Sequence, residues 1–129
     1  MNFKFSKRSK QRREGADPRL IAISDLALQI SPIDFGVPEH GGLRTAEQQK
    51  CLFDAGKSKC DGTRRKSRHQ SGKALDFYAF VDGQASWDRE HLAIVAAAHL
   101  QAAAMLGHQL QWGGLWDSFP DFPHLELLE

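Results

Sequence analysis

Two short segments carry the residues best suited to chemistry. One is Ser67-Arg68-His69-Gln70-Ser71-Gly72-Lys73-Ala74-Leu75-Asp76; the other, near the C-terminus, is Asp121-Phe122-Pro123-His124. Asp76 falls in 74–81, a run rich in Leu, Phe, Tyr and Val that reads as a buried strand. An isolated carboxylate there is costly, so it must be neutralised, paired or bound to a metal. His69 lies seven residues before it and His124 far downstream. Two histidines and one carboxylate are a hydrolytic zinc ligand set that leaves a fourth position for water.

Small residues, Gly72 and Ala74, separate His69 from Asp76 and permit close approach of backbone or substrate. Pro123 restricts Phe122 to extended conformations and so stiffens the approach to His124. Asp121, three residues before His124, is placed to serve as a proton carrier rather than a ligand. Glu126 is its rival, two residues beyond His124 and on the same face if that segment is a strand; Asp117 is a further loop acid. Trp112 and Trp116 flank the Gly113-Gly114 turn and read equally as core or as groove walls. His40, His91, His99 and His108 lack ligand-spaced partners and read as surface or packed histidines.

The elements that must position these groups follow from patterning. Asp17-Pro18 offers an N-cap and a first-turn proline for a helix through about Gln29, where Leu20, Ile21, Ile23, Leu26, Ala27 and Ile30 form the apolar stripe. A short strand is expected over 33–37. Thr45 with Gln48 makes a capping box for a helix that Gly56 stops. The polar, basic segment 57–71 reads as a long exposed loop, and 74–81 as one strand ending at the Asp82-Gly83 turn. Ser86 is expected to cap an alanine-rich helix over 87–106 lying across a sheet, with short strands at 110–112 and 124–128. Helices interrupting a few antiparallel strands make the class α+β, with helices packed on a small antiparallel sheet.

At 129 residues the chain is long enough for one domain with a real core and has little room for a second. We expect a basic, mobile or loosely docked lead-in over 1–16 and a single catalytic domain over 17–129. Net charge is only +1, but Lys and Arg crowd the N-terminus and the central loop while acids gather toward the C-terminal end. No apolar stretch reaches the length of a membrane span, and the polar, basic start is unlike a secretory signal. These features predict a chain made in the cytoplasm without stable membrane insertion. Cys51 and Cys60 are too few for a disulfide framework and lack C-x-x-C spacing, so both are expected as reduced thiols.

The full S-x-H-x-x-G-x-A-x-D pattern followed by a late D-x-x-H resembles the zinc peptidases that cut bacterial cell-wall peptides. That superfamily joins D-alanyl-D-alanine carboxypeptidases, lysostaphin- and hedgehog-type folds and phage L-alanyl-D-glutamate endopeptidases, and the phage branch is the nearest likeness. The resemblance implies His69, Asp76 and His124 as zinc ligands and Asp121 as the catalytic carboxylate. Gly42-Leu43-Arg44-Thr45-Ala46-Glu47-Gln48-Gln49 is similar to the family's G-x-R-T-x-x-x-Q segment. It implies that Arg44 faces the site and holds a substrate carboxylate or the developing oxyanion. Leu125 stands where the family commonly has an aromatic residue. The resemblance covers about residues 14–128.

The implied activity is hydrolysis of the L-alanyl-D-glutamate bond of the peptidoglycan stem peptide by a monomeric endolysin. Such an enzyme is made in the host cytoplasm and reaches the wall through a separate release factor. D-alanyl-D-alanine carboxypeptidase or dipeptidase action is the alternative within enzymes, and a zinc-stabilised binding module the alternative outside them. The two basic clusters would also suit a nucleic-acid binder, but no helix-turn-helix, finger or RNP pattern accompanies them, and nucleic acid is not an expected partner.

Overall fold

The computed structural model describes residues 3–128. Among these residues four α-helices, α1 (Lys7–Arg12), α2 (Pro18–Ile30), α3 (Ala46–Asp54) and α4 (Arg89–Leu106), combine with six short strands. The strands are β1 (Asp34–Gly36), β2 (Ala74–Asp76), β3 (Tyr78–Val81), β4 (Gln84–Ser86), β5 (Leu110–Trp112) and β6 (His124–Leu127). The class is α+β. The expected single small sheet is two antiparallel three-stranded sheets, ordered β1-β3-β4 and β2-β6-β5.

That division corrects the reading of 74–81 as one strand. Residues 74–76 pair with β6, whereas 78–81 pair with β1 and β4. At the junction the amides leave both ladders: Asp76 N–H donates to the Gly41 carbonyl at 2.8 Å and Phe77 N–H to the Pro123 carbonyl at 2.9 Å. Phe77 itself is buried where the two sheets meet the helices. The core joins Leu20, Ile23 and Ala27 of α2 to Leu92, Val95 and Ala96 of α4, with Phe35, Leu125 and Leu127 from the strands. The helix α4 packs chiefly on α2 and then on β5 and β3, because its small alanines allow close helix–helix approach.

Local signals account for most boundaries. Asp17 caps α2 and Pro18 fills its first position; Thr45 and Gln48 form the expected capping box of α3. The start of α4 differs from expectation. Asp88 is its N-cap, while Ser86 Oγ accepts from the Asp88 amide and bonds His91 Nδ1 at 2.7 Å, leaving Trp87 exposed outside the helix.

Over residues 3–16 the expected lead-in is not loosely docked; residues 1–2 lie outside the described residues. Ser9 and Arg13 are buried, and Phe3 and Phe5 pack against the core. Ser9 Oγ accepts from the Val37 amide, Arg12 donates to the Val37 carbonyl, and Arg13 reaches Ser24 and Asp25 on α2. Basic composition suggested a mobile or loosely docked lead-in, yet the guanidinium groups of Arg12 and Arg13 are structural ties.

Candidate metal centre and active site

Asp76 and His124 are directly opposed across the β2–β6 ladder, so their side chains share one face. His69 comes from elsewhere. Ser67 and Gln70 form a capping box on a short 3-10 helix, Arg68–Ser71, that presents His69 inward with its side chain 2% exposed. Gly72 ends that turn in the left-handed region, and a Cβ there would stand 2.9 Å from the Gly15 carbonyl.

The three side chains converge. His69 Nε2 lies 3.1 Å from Asp76 Oδ1, His124 Nδ1 lies 3.3 Å from the same oxygen, and the two ring nitrogens are 3.3 Å apart. Tetrahedral coordination by N and O donors at about 2.0–2.1 Å separates the donors by about 3.3–3.4 Å. The residues therefore fit a zinc-sized ion as they stand, and they form the group able to hold a metal among the described residues. Opposite nitrogens serve in the two rings. His69 Nδ1 donates to the Gly42 carbonyl at 2.9 Å, leaving Nε2 as donor atom; His124 Nε2 lies 2.9 Å from Glu126 Oε1, leaving Nδ1.

Charge follows from this packing. Burial alone would raise the pKa of Asp76, but the facing imidazoles outweigh it and hold the group below the usual carboxylate range. Burial opposes charge on His124, yet the carboxylates of Asp76 and Glu126 at its two ends lift its pKa to about 9 in the metal-free protein.

Asp121 stands beside the trio. Its Oδ2 is 3.9 Å from His124 Nδ1, beyond the spacing of the donor atoms, and its side chain is 48% exposed. Burial of its inner part and the charge of Asp76 raise its pKa. The turn that carries it is held by Asp121 N–H donating to the Gly113 carbonyl at 2.9 Å, with Trp112 Nε1 donating to the Phe122 carbonyl at 2.7 Å. A Cβ at Gly113 would sit 2.5 Å from the Asp121 carbonyl, so this close approach requires glycine. Trp116 lies against the His124 ring with centroids 5.1 Å apart and is a wall of the site, whereas Trp112 packs on the core and Phe122.

Arg44 is brought to the same place. Its Nη2 donates to Asp76 Oδ2 at 3.0 Å, Nη1 to Gln49 Oε1 at 3.1 Å, and Nε to the His40 carbonyl at 2.7 Å. Two features around it escaped sequence reading. Consecutive carbonyls of His40, Gly41 and Gly42 accept from Arg44 Nε, the Asp76 amide and His69 Nδ1, so this segment scaffolds the site. Gln49, fully buried, joins Arg44 to Ser58 Oγ and the Cys60 carbonyl and so anchors the basic loop. In sequence, Gln49 is the closing glutamine of the G-x-R-T-x-x-x-Q segment, and no role was read from it there.

Of the rival acids, Glu126 sits behind His124 rather than at the open side of the trio, and Asp117 is exposed. Cys51 and Cys60 are free thiols. His99 is buried between Phe35 and Phe77, away from the trio's contacts. No helix of the described residues is long and apolar enough to cross a membrane.

The family model for phage L-alanyl-D-glutamate peptidase matches residues 1–127. The chain is 33% identical over 123 residues to the L-alanyl-D-glutamate peptidase of Escherichia phage T5, spanning 95% of this chain and 88% of the relative. It is 31% identical over 103 residues to the peptidoglycan L-alanyl-D-glutamate endopeptidase CwlK of Bacillus subtilis (strain 168), spanning 67% and 58% respectively. The crystal structure of the Serratia marcescens L-Ala D-Glu endopeptidase ChiX superposes with a TM-score of 0.85 at 35% identity, covering 98% of this chain and 91% of the other.

Proposed function

The chain belongs to the phage L-alanyl-D-glutamate peptidase family, and on that premise we propose that it hydrolyses the L-alanyl-D-glutamate bond of peptidoglycan stem peptides in a zinc-dependent reaction. It is an enzyme, a peptidase of bacterial cell-wall peptides in the manner of a phage endolysin. The observation that carries the mechanism is the convergence of three donor atoms at 3.1–3.3 Å beside a half-exposed carboxyl that stays off them.

His69, Asp76 and His124 hold the ion. When bound, zinc supplies Lewis acidity at the scissile carbonyl and brings the pKa of a water toward 7. Asp121 accepts the proton of the attacking water and passes it to the leaving amine; its raised pKa moves it toward the range in which it can do both. Arg44 orients Asp76. Each of its terminal nitrogens keeps a second N–H bond, which can serve a substrate carboxylate or the oxyanion. The basic loop, anchored through Gln49, supplies positive charge that attracts acidic stem peptides.

In this reading the enzyme is a monomer, made in the host cytoplasm and acting on the wall after a separate factor releases it. Residues 17–129 make up the catalytic domain, and of the lead-in 1–16 the described residues 3–16 dock on it. Digestion of purified sacculi followed by product masses tests the bond assignment. Peptides that begin with D-glutamate, and glycan that retains L-alanine, are expected. Removal of terminal D-alanine alone would overturn it. Activity should vanish with chelator, return with zinc, and be absent in His69→Ala.

A further inference from the structure

His124 differs from His69 in what stands behind it. A neutral backbone carbonyl, that of Gly42, backs His69, whereas an ionisable carboxylate backs His124. The cause is strand periodicity. His124 and Glu126 are two residues apart on β6 and therefore face the same side, which sets Glu126 Oε1 2.9 Å from His124 Nε2.

Glu126 is itself held. Arg68, next in sequence to His69, donates from Nη2 to the Leu127 carbonyl at 2.6 Å and turns its buried Nε toward Glu126 Oε2 at 3.7 Å. That separation is too long for a hydrogen bond and short enough for a charge contact. The neighbours of the two histidine ligands are thus linked to each other: Arg68 beside His69, Glu126 beside His124. Glu126 is only 17% exposed at its side chain, so the contact is partly shielded from water.

We propose that Glu126 is a positioning residue for the metal centre. It fixes the His124 ring with Nε2 as hydrogen-bond donor and Nδ1 as metal donor, and Arg68 holds it in place. The proposal rests on the zinc reading above. A histidine ligand whose second ring nitrogen donates to a carboxylate is oriented before the ion arrives and is a more basic ligand once it binds. This also gives Glu126 a task other than proton transfer at the open side: its carboxylate lies at the far edge of the imidazole from the converging donors.

The test uses the full-length protein and zinc itself. Zinc affinity is measured by competition with a chromophoric chelator for wild type, Glu126→Gln and Glu126→Ala. Thermal unfolding of the metal-free proteins is recorded alongside, and kcat and KM on peptidoglycan fragments are taken at saturating zinc. Glu126→Ala should bind zinc about 10–100-fold more weakly. Glu126→Gln should recover most of that loss, because its amide oxygen still accepts from His124 Nε2. Saturating zinc should restore kcat in both, with KM unchanged.

Wild-type zinc affinity in Glu126→Ala overturns the proposal. So does a kcat that stays depressed about 100-fold or more at saturating zinc, which would make Glu126 the proton carrier. Should Glu126→Ala not fold without metal, Arg68→Ala carries the test: weaker zinc binding supports the proposal, and wild-type binding overturns it. A wild-type protein that binds no zinc would instead overturn the metal-site reading, so the two failures are distinguishable.

Discussion

Arg44 reaches Asp76 across 32 residues of sequence, donating from Nη2 to Oδ2 at 3.0 Å while Asp76 Oδ1 faces the two histidines. One carboxylate is thereby divided between an arginine and the proposed metal position, and its orientation depends on both. Arg44→Ala would leave the outer oxygen of a buried carboxylate and the Gln49 Oε1 without their donor. Removing one partner of a buried pair costs about 3–5 kcal/mol. We expect a lower melting temperature, zinc affinity reduced about 10-fold or more, and kcat/KM on peptidoglycan reduced further still. Arg44→Lys should recover only part of this, since an ammonium cannot serve Asp76, Gln49 and the His40 carbonyl in the fixed geometry of a guanidinium. Chelator competition and sacculus digestion read out the two effects separately.

Asp121 predicts the opposite separation. Because its Oδ2 stays 3.9 Å from His124 Nδ1 and outside the converging donors, Asp121→Asn should leave zinc affinity unchanged. Loss of its proton transfer should lower kcat by about 10²–10⁴-fold with little change in KM. Equal losses in zinc affinity and in kcat would instead make Asp121 a ligand.

Chelation should abolish activity and spare the fold. The core that joins α2, α4 and the strands does not include the donor trio. Without the ion, His124 carries a proton at neutral pH because Asp76 and Glu126 raise its pKa to about 9, so Asp76 keeps a charged partner. Far-UV circular dichroism should therefore be unchanged after chelation, while lysis of permeabilised cells falls to background and recovers when zinc is added. Global unfolding on chelation would show that the ion is structural.

The converging trio was legible in sequence because Asp76 sits in an apolar strand and His124 behind Pro123; His69 was read only as the end of an exposed loop, and the capped turn closed by Gly72 that buries it was not foreseen. Helix starts were legible for the same reason, since Asp17-Pro18 and Thr45…Gln48 are local signals. What sequence hid was long-range pairing. Nothing in 74–81 reveals that its amides change partners at Phe77, because a buried strand and two abutting buried strands share one apolar pattern. Nor does composition tell a loosely docked basic arm from one whose Arg12 bonds the Val37 carbonyl and whose Arg13 bonds Ser24 and Asp25 of α2. In the site, the carbonyls of residues 40–42 stayed hidden because backbone acceptors have no residue signature.

His99 supplies a pH dependence independent of catalysis. Its ring lies between Phe35 and Phe77, Nδ1 donates to the Val95 carbonyl at 2.8 Å, and Nε2 is buried without a partner. Burial disfavours its charged form and lowers its pKa from 6.5 to about 4. Above pH 6.5 the residue is neutral in both folded and unfolded chains and contributes no pH dependence. As pH falls from 6.5 toward 4, the unfolded chain takes up a proton that the folded chain refuses, so stability declines through that window. The gap corresponds to on the order of 3 kcal/mol by pH 4. His99→Leu removes the titrating group and the orphaned nitrogen while keeping an apolar side chain in the core. Denaturant midpoints at pH 7 and pH 4.5 should differ clearly less in His99→Leu than in wild type, and an equal difference in the two proteins would assign the acid sensitivity to other groups.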